Sequence, residues 1–137
     1  MKLITRDTDY AIRAITCMAQ EKGKVVSVTL LTEKLSIPRP FLRKILQELN
    51  KAGILKSIKG KGGGFSVDKD LGDITVLEIM EIFQGPFEMS EHIFKGKICK
   101  FLNICSFKKK LDKIENHVEK ELTKISVKSL VSMHKKK

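Results

Sequence analysis

Apolar positions along the chain recur mostly at the 3.6-residue period of helices, with one interruption between residues 54 and 67 where the pattern is that of a hairpin. Ile4, Tyr10, Ala11, Ala14, Ile15, Met18 and Ala19 form the first helical stripe. Thr5 stands where an N-cap belongs, Asp7 and Asp9 fall in the favourable first turn, and Gly23 follows an end near Glu21. Cys17 lies close to this stripe and reads as a small core residue, with a reactive thiol as the alternative. After Val25-Val26, Ser27 can cap a short helix, Val28 to Leu35, with Leu30, Leu31 and Leu35 inward. A turn at Ser36-Ile37 leads to a more basic helix. Its apolar residues Phe41, Leu42, Ile45, Leu46 and Leu49 share one stripe, while Arg39, Arg43, Lys44, Gln47 and Lys51 lie off it. Pro38 and Pro40 fit only in or before the first turn, so this helix starts near Arg39 or Pro40. Ala52-Gly53 supplies its exit.

The hairpin follows at once: Ile54 to Ile58 as a strand, Lys59 to Gly64 as a tight turn, and Phe65 to Val67 as the returning strand. Lys59 and Lys61 stand at its tip among glycines, whose missing Cβ lets another surface come close. A nucleotide-binding P-loop is excluded, because that motif needs Gly-Lys-Ser/Thr running into a helix and here a strand follows.

Leu71-Gly72-Asp73 reads as a linker and Ile74 to Phe83 as a further helix, with Thr75 as its cap and Gly85-Pro86 as its end. From Phe87 to Ser106, about 20 residues, no period persists, and a segment that long without elements usually has a function. Phe107, Leu111, Ile114, Val118, Leu122 and Ile125 then step by four, three, four, four and three, a narrow seam on a helix of about 18 residues. A charged helix with such a seam needs a partner helix, from its own chain or from a second subunit. The second subunit is preferred. Ser126 to Val131 reads as a short terminal helix before a basic end, His134-Lys135-Lys136-Lys137.

Charge sharpens this picture. With 27 Lys and Arg against 16 Asp and Glu in 137 residues, the formal net charge of +11 predicts attraction to a polyanion, nucleic acid or an anionic membrane surface. No apolar run approaches the ~18 residues that span a bilayer, and the N-terminus has no signal-peptide core, so a cytoplasmic protein is expected. Three cysteines, Cys17, Cys99 and Cys105, in a reducing compartment argue against a disulfide framework and leave metal ligation, redox sensing or burial. No nucleophile, base and carboxylate arrangement supports an enzyme.

Helix, short helix, turn, helix, hairpin is the order of a winged helix-turn-helix, so the expected fold is mostly α with a small β-hairpin wing and an appended long dimerisation helix. The expected organisation is a DNA-binding domain over residues 1–85, a sensor loop over 86–106, dimerisation and terminal helices over 107–132, and a basic tail over 133–137. Such a motif puts the N-terminal residues of its second helix in the major groove. The candidate DNA contacts are Arg39, Pro40, Arg43 and Lys44 on that helix, with Lys59 and Lys61 on the wing. The blander reading of the hairpin is a solvated turn, and that of the whole chain a basic module docking on another protein.

The sequence resembles the Rrf-type winged-helix transcriptional regulators of bacteria. The similarity rests on Met1-Lys2-Leu3 with Thr8 to Ala14, Phe41 to Leu46 with Leu49 to Gly53, and the wing Ser57 to Phe65. It continues in Ile74-Thr75, Gly85-Pro86 and Ile125 to Val131. The resemblance implies dimeric binding to a palindromic operator in double-stranded DNA, recognition helix in the major groove and wing in the minor groove. Lys59 stands where the family usually has Arg, which implies a weaker preference for narrow A·T-rich grooves.

Relatives that bind iron–sulfur clusters place three cysteines in the long loop; Cys99 and Cys105 match the second and third, and Ile93, beside His92, stands near the first. The resemblance therefore implies a two- or four-iron cluster held by Cys99, Cys105, His92 and Asp9 of the partner subunit. The alternatives are Asp9 as a helix N-terminal charge, His92 as a solvated residue, and the two cysteines as buried thiols or a pair that oxidises to a disulfide. A zinc site would need tighter ligand spacing. The implied function is a regulator, as repressor, reading cluster status, nitric oxide or redox, with a cluster-free regulator of the same fold as the alternative.

Overall fold

The computed structural model describes residues 1–21, 24–89 and 106–135, with side chains as far as residue 132. Helix α1 (Arg6–Gln20) begins at Thr5, whose Oγ1 accepts from the Thr8 amide. Helix α2 (Val28–Leu35) is capped by Ser27 accepting from the Leu30 amide at 3.1 Å, and it ends on Ser36 in the left-handed conformation. Helix α3 (Arg39–Lys51) starts after Pro38, with Pro40 in its first turn where no hydrogen bond is lost. It leaves through Gly53 at φ 83°. Strands β1 (Leu55–Ile58) and β2 (Gly64–Val67) pair antiparallel, Ile58 opposite Gly64 and Leu55 opposite Val67.

Val26 adds a third backbone segment to this hairpin, exchanging hydrogen bonds with Phe65 at 2.8 and 2.9 Å. Gly64 permits that approach, because a Cβ there would run into the Val26 carbonyl. The wing is thus tied to the chain ahead of α2.

The predicted linker is a 3-10 turn, Leu71–Asp73, with Asp70 accepting from the Gly72 amide. Helix α4 (Val76–Gln84) is capped by Thr75 and begins two residues later than the apolar pattern suggests, because Ile74 is fully buried in an extended pairing with residues 125–127. Helix α5 (Ser106–Lys124) packs on α4, and helix α6 (Val127–Lys135) returns to α1, reaching four residues beyond the expected end at Val131.

One large core joins α1, α2, α3, the hairpin, α4 and α6. It includes Ala11, Ala14, Ile15, Leu31, Leu42, Leu46, Leu49, Ile54, Ile79 and Val127. Leu30 and Leu35 sit half-buried at its edge. Phe41, expected on the buried stripe, is 43% exposed: it stands at the stripe's margin, where α1 offers the charged Arg6 rather than apolar surface. A smaller cluster of Val76, Met80 and Leu122 holds the C-terminal part of α5.

Candidate nucleic-acid interface

The candidate interface is formed by α3 and the wing together. Leu42, Ile45, Leu46 and Leu49 bury one side of α3, which turns Arg39, Pro40, Arg43, Lys44 and Gln47 outward. A groove of about 670 Å³ runs between this outward side and the hairpin. Arg39, Arg43 and Lys59 line it; Pro40 and Lys44 lie exposed on α3 beside it, and Lys61 is exposed in the hairpin turn. The Arg39 guanidinium donates to the Thr29 hydroxyl at 3.3 Å, tying the start of α3 to α2. Among the described residues, no carboxylate pairs with Arg43, Lys44, Lys59 or Lys61, whereas Lys51, Lys34 and Lys69 each hold one. Unneutralised cations on a concave surface suit a polyanion.

The same groove is lined by Thr29, Gln47, Asn50 and Ser57, none of them among the contacts expected from the sequence. Their signal was available for α3: Arg39, Arg43, Gln47 and Asn50 step by four, four and three, one helical face of hydrogen-bonding side chains. Gln and Asn can pair with adenine edges as Arg does with guanine.

Of the implied cluster ligands, Cys99, Cys105 and His92 lie outside the described residues. Asp9 lies on α1, its side chain about half exposed and its Oδ2 accepting from Arg13 Nε at 2.8 Å. It lines a cleft of about 570 Å³ together with Arg13, Cys17, Lys34 and Leu130. The pairing engages one of the two carboxylate oxygens. Among the described residues there is no group of three or more His, Cys, Asp or Glu able to hold a metal ion. Cys17 is half-buried rather than deep in the core, and burial pushes its thiol above the usual value, with nearby Lys34 opposing and Glu21 reinforcing the rise.

Among the described residues no helix is long and apolar enough to cross a membrane. A sequence profile of the Rrf2 family, described as iron-dependent transcriptional regulators, matches residues 4–133. NsrR of Bacillus subtilis (strain 168), an HTH-type transcriptional regulator, is 30% identical over 110 residues, 79% of this chain and 75% of its own. Solved structures share the fold. CymR of B. subtilis, described as its global cysteine regulator, aligns with a TM-score of 0.81 at 21% identity over 97% of this chain and 98% of its own. IscR of T. potens aligns with a TM-score of 0.73 at 22% identity over 98% and 88%. Regulators of this family bind DNA and act as dimers. With its winged helix-turn-helix and its match across nearly the whole chain, this protein belongs to the Rrf2 family of DNA-binding transcriptional regulators.

Proposed function

We propose that the protein is a homodimeric repressor that grips a palindromic operator with the N-terminal residues of two α3 helices in major grooves and two wings in minor grooves. The groove shared by Arg39, Arg43 and Lys59 is the observation that carries this reading. Arg39, Pro40, Arg43 and Lys44 meet base edges and flanking phosphates, and Lys59 and Lys61 follow the backbone into the minor groove. The exposed α5 seam, with Phe107 72% and Ile114 51% accessible, supplies the dimer contact.

The test uses duplexes that the protein selects from a random-sequence pool. Arg43→Ala should weaken binding to the selected duplex by about tenfold or more and relax the preference at one position in each half-site. Lys59→Ala should weaken all sequences alike and flatten the dependence of log K on log salt by about 1 per protomer. Lys59→Arg should sharpen preference for A·T-rich minor grooves. Unchanged binding in all three variants refutes the proposed face.

For the signal, the reading is a two- or four-iron cluster held by Cys99, Cys105, His92 and Asp9 of the partner subunit, the half-exposed Asp9 carboxylate on α1 supporting it. Such a cluster supplies a group sensitive to oxidation and nitric oxide. The other reading is that Cys99 and Cys105, in a segment with Lys95, Lys97 and Lys100 whose charge favours thiolates, answer thiol oxidation or a bound partner without iron. Iron, acid-labile sulfide and visible absorption of protein prepared without oxygen separate the two. Colour that a Cys99→Ala/Cys105→Ala variant lacks establishes the cluster, and colourless, iron-free protein after anaerobic reconstitution overturns it and favours the thiol or partner sensor.

A further inference from the structure

The exposed side of α3 has two flanks, and the wing addresses one of them. Arg39, Arg43, Gln47 and Asn50 face the hairpin groove. Phe41, two residues from both Arg39 and Arg43, projects from the opposite flank, toward the start of α1. There the Arg6 guanidinium lies over the exposed Phe41 ring, 4.9 Å from its centroid.

We propose that Arg6 is a further DNA-backbone contact, meeting a phosphate on the major-groove wall away from the wing, and that Phe41 positions it. The proposal rests on the reading of α3 as the recognition helix. Arg6 is exposed, and among the described residues no carboxylate pairs with it; the nearby Asp9 carboxylate is held by Arg13. Arg6 is the first residue of α1, where a cation opposes the helix dipole, so helix stability does not explain its presence.

Its backbone is fixed on both sides. The Thr5 amide and the Thr8 hydroxyl both donate to Gln84 Oε1, at 3.1 and 2.6 Å, and Gln84 Nε2 donates to the Leu3 carbonyl at 3.0 Å. A guanidinium held against an aromatic face keeps its in-plane N–H donors available for a phosphate fork. The wing lysines and Arg6 would then bracket the inserted end of α3 from its two sides.

The experiment measures affinity and salt dependence on the duplex selected from a random pool, with Arg43→Ala in parallel. Arg6→Ala should weaken binding about tenfold and flatten the salt slope by about 1 per protomer, about 2 for a dimer. Arg6→Lys should restore the slope, since it restores the charge. Phe41→Leu should weaken binding by about threefold with the slope unchanged, and should have no further effect when added to Arg6→Ala. Unchanged affinity and slope in Arg6→Ala, while Arg43→Ala binds weakly, overturns this contact alone. If Arg43→Ala also binds as the parent does, the recognition face itself is misassigned.

Discussion

Helices α3 and α5 carry apolar residues at the same kind of spacing and meet opposite fates. In α3, Leu42, Ile45, Leu46 and Leu49 are each at most 2% exposed, enclosed by α1, α2 and β1. In α5, Leu122 is buried and Val118 half-buried against Val76 and Met80, while Phe107 and Ile114 stand largely in water. The difference lies in the neighbours rather than in the pattern. A hydrophobic stripe records that a helix requires a partner, and the described residues of this chain leave Phe107 and Ile114 of α5 exposed. Fully burying a side chain of this size contributes about 1.5–3 kcal/mol, so a second copy covering the exposed parts of Phe107 and Ile114 in both protomers would offset part of the cost of association.

The sharpest way to break this comparison is to truncate one residue from each stripe. Leu46→Ala should destabilise the fold by about 2–5 kcal/mol in urea titration, because the packed site cannot collapse onto the lost volume. Ile114→Ser should change the secondary structure little and shift the sedimentation coefficient toward the monomer at low micromolar concentration. A dimer that persists unaltered in Ile114→Ser would mean that α5 is not the contact between copies.

Much of the segment from α1 to α4 was legible because its signals are local. Thr5, Ser27 and Thr75 declared their helix starts, Pro38 and Pro40 fixed the start of α3, and the glycine-rich turn set the hairpin. What escaped was settled by tertiary neighbours. Phe41 fits the α3 stripe by period but has Arg6 beside it, and Ile74 fits a helix but pairs with the chain entering α6. Of the proposed cluster ligands, Asp9 alone lies among the described residues, and its role depends on a second subunit that a single sequence does not position.

The wing offers an intermediate effect. Gly64→Ala places a methyl group against the Val26 carbonyl and should push the hairpin away from the segment before α2, for a loss of about 1–3 kcal/mol. DNA affinity should fall further than Lys59→Ala lowers it, since the whole wing moves. If Gly64→Ala matches the parent in both stability and binding, the tie between Val26 and Phe65 does not hold the wing.

The smallest expected effect concerns Cys17, at the edge of the well-packed body. Its thiol is held above the usual value by burial first, with Lys34 pulling down and Glu21 pushing up. At pH 7.5 it should therefore alkylate more slowly than an unburied thiol, in a Cys99→Ala/Cys105→Ala background that leaves it the single cysteine. The ion pair of Lys34 with Glu21 at 2.6 Å fixes the signs. Lys34→Ala removes the lowering influence and unmasks Glu21, so the thiolate fraction and the iodoacetamide rate should fall. Glu21→Gln removes a raising influence, so the rate should rise by a few-fold at most, as a surface charge warrants. Equal rates in both variants would show that burial alone governs this thiol and that the packed half of the molecule carries no electrostatic tuning at Cys17.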